Sequence, residues 1–153
     1  MIPRVYVDTS VIGGCLDEEF GIYSERLADD FDQGRFRAVI SDVTLAELET
    51  APPAVRQLLA RPGFAEAERV NVGDEAVALA DAYIREGAAQ ESNRADALHI
   101  AVATVSRVDV VVSWNFKHIV KLSRIRAYNA VNLKLGYPEL EIRSPLEVYY
   151  QEA

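Results

Sequence analysis

Three acids in this chain stand where a carboxylate serves chemistry better than packing. Asp8 ends the apolar run Val5-Tyr6-Val7 and is followed by Thr9, Ser10 and then Val11-Ile12, so a buried strand turns directly into a helix with the acid at the turn. In an open parallel sheet, the edge where strands end and helices begin is where ligands bind. Capping the next helix is the competing use of Asp8, one it shares with Thr9 and Ser10. Glu47 falls a turn or so into a helical stretch at 43–49; its competing use is that of a solvated surface glutamate, which suits its neighbour Glu49 better. Asp96 opens a stretch that becomes apolar almost all round, beside Ala95, Ala97 and Leu98, where an unpaired carboxylate is costly.

Three carboxylates brought within a few Å repel one another unless they are protonated or neutralised. A divalent cation solves that problem. Oxygen ligands without cysteine or paired histidines point to Mg²⁺ or Mn²⁺ rather than zinc, and such ions keep waters and take up phosphate oxygens. The chemistry that follows is phosphodiester hydrolysis, with water activated by the cation as nucleophile and the cation stabilising charge on the phosphoryl oxygens.

The elements that must position these acids alternate. Short apolar strands are predicted at 5–7, 36–40, 69–72, 108–112 and 140–143, and helices at 10–16, 22–32, 43–49, 54–60, 75–86, 91–103 and 127–135, with a closing turn or helix at 145–149. Gly34, Pro52-Pro53, Pro62-Gly63, Gly87 and Gly136 with Pro138 are the stops. Strand, polar turn and helix recur in that order, which predicts a parallel sheet of about five strands flanked by helices in three α/β/α layers. Right-handed crossovers then put the ends of strands one, two and four on one edge. The helix at 91–103 runs antiparallel to the strand after it, so Asp96 in its first turn returns to the edge that carries Asp8.

Composition bounds the rest. A chain of 153 residues, half of them hydrophobic, with no linker, repeat or low-complexity block, is expected to be a single domain over 1–153 with a core that needs no disulfide. Sixteen basic residues against 24 acidic ones give a net charge of −8, so any nucleic-acid role rests on a local basic patch or bound cations. The basic cluster Lys117, His118, Lys121, Arg124 and Arg126 begins at the proposed active edge; it is either a solvated face or a docking strip for RNA phosphates. Trp114 and Phe116 are placed either to stack a splayed base or to fill core. Cys15 stands alone, as a small apolar side chain in a reducing compartment. No leader and no apolar run of membrane length is evident, so a cytoplasmic, membrane-free protein is expected.

The segments VYVDTSVI, TLAELE, RADALHIAVA and VVVSWNFKHI, in this order and spacing, resemble the PIN domain, a small α/β ribonuclease fold, and most of all its VapC-type toxin branch. The resemblance covers nearly the whole chain. It implies a parallel sheet flanked by helices, an acidic Mg²⁺ or Mn²⁺ pocket, endoribonuclease activity on an RNA substrate, a small cognate antitoxin and commonly a homodimer. Carried over by residue, the catalytic and metal-binding acids are Asp8, Glu47 and Asp96. Thr9 and Ser10 match small polar residues that steady the first acid or its water, and Ser113 and His99 flank the site, His99 three residues after Asp96 as a half-buried partner rather than a base. Many members carry a fourth acid after strand four, where Asn115 stands here; an amide oxygen can bind a metal but adds no charge, which weakens a second ion site. Two other readings compete: a catalytically weakened RNA-binding or protein-interaction module, with Asn115 marking lost catalysis, and a phosphoacceptor signalling domain, which lacks here the lysine expected after a late strand.

Overall fold

Two apolar cores separated by one sheet organise the protein, whose residues 1–152 are described by a computed structural model. In chain order the elements are β1 (Arg4–Val7), α1 (Thr9–Gly14), α2 (Gly21–Asp32), β2 (Arg37–Ser41), α3 (Asp42–Glu49), α4 (Pro53–Gln57), α5 (Pro62–Ala65), β3 (Glu68–Val70), α6 (Asp74–Arg85), α7 (Arg94–Val105), β4 (Val110–Val112), α8 (Leu122–Lys134) and β5 (Ile142–Arg143), with 3₁₀ turns at Leu58–Ala60 and Glu91–Asn93. The five strands are all parallel, in the order β3-β2-β1-β4-β5. This is a three-layer α/β/α arrangement of the PIN-like kind.

Side chains alternate across a strand, so each central strand feeds both cores. Tyr6, Val39, Val111 and Ile142 face a core closed by α6, α7 and α8, whereas Val5, Val7, Ala38, Ile40 and Val112 face one closed by α1, α2, α3 and α5. The register matches these sets, with Tyr6 opposite Val39 on one side and Val111 on the other. Helix α7 is buried along most of its length, from Ala97 through His99 to Thr104, and burial of an Ile or Val there contributes roughly 1.5–3 kcal/mol each.

From β1 the chain winds outward to β2 and β3, then returns to the other side of β1 to place β4 and β5. The direction of winding, and with it the face carrying the connecting helices, reverses between β1 and β4. That reversal opens a crevice beyond the carboxyl ends of these two strands, and Asp8 and the Ser113-Trp114-Asn115 segment lie directly after them. The opposite ends are tied by Arg4, whose guanidinium pairs with Glu68 at 2.5 Å and donates to the carbonyls of Ser106 and Arg107.

Several expected boundaries move. Pro62 and Gly63 do not close a helix but begin α5, because proline at the first helical position has no amide to leave unpaired and Asp32 accepts the Gly63 N–H at 2.8 Å. A Cβ on Gly63 would stand 2.5 Å from Phe31 Cβ, so only glycine lets α5 lie this close to α2. Helix α8 starts at Leu122 rather than 127; Leu122 and Ser123 are exposed and no side chain caps the helix, so neither periodicity nor capping chemistry marks its start. Strand β5 keeps only two residues, and 145–149 form turn and irregular chain rather than helix. Among the described residues no helix is long and apolar enough to cross a membrane. Cys15 is buried and unpaired, with burial pushing its thiol up to about 12.

Candidate functional site

Asp8 is both a cap and a buried acid. Its backbone is extended while α1 begins at the next residue, and its Oδ1 accepts from Val11 N–H at 3.3 Å. Oδ1 also accepts from Ser10 Oγ at 2.6 Å, and Oδ2 from Ser113 Oγ at 2.6 Å. These two serines stitch the end of β4 to the acid, because Trp114 N–H donates to Ser10 Oγ and Asn115 N–H to Ser113 Oγ, each at 2.9 Å. With the residue only 5% exposed, burial pushes the Asp8 carboxyl up from its ordinary range, against the smaller pull of His99, the two serines and Val11 N–H.

Glu47 projects from α3, which Ser41 caps by accepting from Thr44 N–H. Its Oε1 accepts from His99 Nε2 at 2.5 Å and from Thr9 Oγ1 at 3.0 Å. Thr9 thus serves Glu47, while Ser10 serves Asp8. Partial burial works to raise Glu47, but the hydrogen bonds and the attraction of the imidazole outweigh it and hold this carboxyl below its ordinary range. His99 is fully buried rather than half-buried: α7 carries it under the sheet edge, and its Nδ1 meets Tyr6 Oη at 2.6 Å.

Asp96 sits in the first turn of α7, half-buried, and its Oδ2 accepts from Asn115 Nδ2 at 3.3 Å. Burial pushes it up, the rings of His99 and His118 oppose that, and repulsion from Asp8 and Glu47 adds to it. Through Asn115 and Ser113, Asp96 is joined to the segment that also holds Asp8. Among the described residues neither Asp8 nor Asp96 has a cationic ion-pair partner.

Asn115 is turned in a way that residue type alone does not specify. The backbone N–H of His118 donates to its Oδ1 at 2.9 Å, so the oxygen faces the following turn and the NH₂ faces Asp96. It therefore presents a donor to the acids, not a ligand oxygen. Of the basic cluster, Lys117 and Lys121 are exposed at this end, with no ion pair among the described residues. His118 is half-buried with Nδ1 3.5 Å from Asn93 Nδ2, and Arg124 donates to the Ala88 carbonyl at 2.8 Å beyond the end of α6. Trp114 is core, stacked on Phe20 at 4.1 Å and donating to Ser24, while Phe116 beside it is 43% exposed.

No three His, Cys, Asp or Glu side chains among the described residues stand close enough to cage a metal ion as they are. The donor chemistry nevertheless fits a hard cation. Among the described residues Glu47 Oε2 and Asp96 Oδ1 accept no hydrogen bond, and Asp8 Oδ2 accepts only one, so each acid keeps a lone pair for an ion. Tyr6 and Ser41, which connect to Glu47 through His99, escaped the sequence reading: Tyr6 lies inside an apolar strand and Ser41 reads as a cap.

The fold is a PIN-like α/β/α arrangement. Among solved structures, the chain is similar to one in the crystal structure of VapBC2 from Rickettsia felis bound to a DNA fragment from their promoter, with a TM-score of 0.53 and 14% identity over 92% of this chain and 98% of that one. At that identity the likeness concerns the fold. No family model matches the sequence, and no curated protein matches it.

Proposed function

We propose that the protein is a Mg²⁺- or Mn²⁺-dependent endoribonuclease, the toxin of a toxin–antitoxin pair whose small antitoxin covers the acidic edge. The observation that supports the reading is the linkage of the acids beside the reversal point of the sheet: Asp8 and Asp96 are joined through Ser113 and Asn115, Glu47 is tied to Thr9 beside Asp8, and neither Asp8 nor Asp96 has a cationic partner among the described residues. Buried acids of like charge are costly unless a cation or proton joins them. Asp8, Glu47 and Asp96 would hold the ion. Bound there, it would supply Lewis-acid stabilisation of the phosphoryl oxygens and activation of water.

The chain's own groups do the remaining work in this reading. Ser10 and Ser113 keep Asp8 in one orientation, and Asn115 does the same for Asp96. Lys117 and Lys121 supply the counter-charge that a phosphate backbone needs beside an acidic protein. Phe116 offers an exposed ring to an unpaired base, and unpaired RNA is the form in which bases can be splayed into a site. The likeness to a VapBC2 chain supports a toxin–antitoxin setting, and a net charge of −8 favours an inhibitor that brings basic residues.

Purified protein freed of partners should cleave looped or single-stranded RNA in Mn²⁺ or Mg²⁺, stop on addition of EDTA, and stop again when a small protein co-purified at equal stoichiometry is added back. The second reading, a binding module with lost catalysis, rests on Asn115 and on the missing preformed cage. RNA binding without cleavage under every metal condition would establish it instead.

Asn115→Asp separates charge from geometry. A carboxylate beside Asp96 should destabilise the protein in EDTA by about 1 kcal/mol through like-charge repulsion, yet tighten Mn²⁺ binding. Melts in EDTA and in Mn²⁺ check both signs. Equal metal-dependent stabilisation of the parent and the variant would place residue 115 away from the cation.

A further inference from the structure

A chain of buried hydrogen bonds runs from the core to Glu47. Tyr6 Oη lies 2.6 Å from both Ser41 Oγ and His99 Nδ1, and His99 Nε2 lies 2.5 Å from Glu47 Oε1. Tyr6, Ser41 and His99 are all 2% exposed or less, and come from β1, β2 and α7. Donors and acceptors can be assigned along it. An ionised Glu47 only accepts, so the hydrogen lies on His99 Nε2. With a neutral ring Nδ1 is bare and accepts from the Tyr6 hydroxyl, and Tyr6 oxygen accepts from Ser41; with a charged ring Nδ1–H donates to Tyr6, and Tyr6 to Ser41. Both patterns aim Nε2–H at Glu47.

Thr9 Oγ1 donates to the same oxygen, Oε1, at 3.0 Å. Two donors therefore converge on Oε1, and Oε2 is left without a protein partner among the described residues. A glutamate on the exposed face of a helix has three rotatable bonds, and this one is fixed at its tip.

We propose that Tyr6 and His99 are positioning residues, which fix the imidazole so that it and Thr9 hold Glu47 by Oε1 and keep Oε2 as the oxygen that takes the cation. The proposal rests on the cation reading above and deepens it. Such a partner behind a ligand is worth about 10- to 100-fold in metal affinity.

The test compares the parent with Tyr6→Phe, His99→Gln and His99→Leu. Mn²⁺ affinity is measured by calorimetry, RNA cleavage by kcat and KM, and the His99 ring protons by nitrogen-edited NMR without metal. Tyr6→Phe and His99→Leu should bind Mn²⁺ about tenfold more weakly and lose kcat with KM for RNA unchanged. His99→Gln, whose amide can still donate to Glu47, should recover part of both. A purely structural role would lower the melting temperature of Tyr6→Phe and His99→Leu while leaving Mn²⁺ affinity and the Gln rescue flat, and that pattern overturns the proposal. Should the parent bind no Mn²⁺, the cation reading fails and the NMR arm decides the hydrogen-bond chain separately. A slowly exchanging Nε2–H in the parent that is lost in Tyr6→Phe supports the chain; an Nε2–H absent from the parent, or unchanged in Tyr6→Phe, refutes it.

Discussion

Asp8→Asn should lower RNA cleavage by on the order of 100-fold or more while raising the melting temperature of the cation-free protein. The two effects have one cause. Asp8 is buried without an ion-pair partner among the described residues, and burial pushes its carboxyl upward despite the pull of His99 and the bonds from Ser10, Ser113 and Val11. An amide keeps much of that bonding at no cost in buried charge, which should stabilise the fold by about 1 kcal/mol, or roughly 3 °C at this chain length. The pH dependence has a definite sign. A carboxyl whose folded pKa is raised binds its proton more tightly in the native state, so stability falls as pH rises through the window between the unfolded and folded values. The variant's advantage should be absent in acid below the unfolded value, about 3.9, and full above the folded one. Melts of parent and variant in EDTA from acid to neutral pH would show it, and an advantage that does not vary with pH would exclude buried charge as the origin. Mn²⁺ should reverse the order, stabilising the parent more than Asp8→Asn.

The largest stability loss near the site is expected from Gly14→Ala. A Cβ on Gly14 would stand 2.6 Å from Ser24 Oγ and 2.7 Å from Trp114 Nε1, which are themselves joined by a 2.8 Å hydrogen bond. Neither atom is the free end of a flexible chain. Trp114 is held by its stack on Phe20, and Ser24 lies buried on α2. Overpacking of this kind costs about 1–3 kcal/mol, and the buried Trp114–Ser24 bond is lost as well. The consequence reaches the acids, because Trp114 lies between Ser113, which holds Asp8, and Asn115, which holds Asp96. Gly14→Ala should therefore lower the melting temperature by several degrees and shift the tryptophan emission, with cleavage falling more than stability alone predicts. An unchanged melting temperature with native emission would mean that α1 and α2 separate freely at this point.

Much of the arrangement is written in the sequence because it depends on short-range pattern. An apolar run ending in Asp-Thr-Ser fixes β1 and its turn into α1, and the strand-helix alternation with right-handed crossovers places the ends of β1, β2 and β4 together. The elements that carry Asp8, Glu47 and Asp96 follow from that pattern, and α7, apolar almost all round, reads as central and is buried along most of its length. Boundaries were less legible where the deciding interaction is distant in sequence. Pro62 and Gly63 open α5 because Asp32 accepts the Gly63 N–H and glycine fits against the backbone of α2, and β5 is cut to two residues at the sheet's edge.

Side-chain direction was decided only by the tertiary structure. Residue type makes Asn115 a plausible oxygen ligand, yet the His118 amide takes its oxygen and turns the NH₂ toward Asp96. Arg124 belongs to a basic cluster in sequence but donates to carbonyls beyond the end of α6, leaving Lys117 and Lys121 as its exposed charges nearest β4. Tyr6 shows the limit most clearly. In sequence it is one apolar residue of a strand, because periodicity records which face a side chain takes and not what its hydroxyl meets. Only the packing of α7 across β1 and β2 brings that hydroxyl between Ser41 and His99, and so links the core to Glu47.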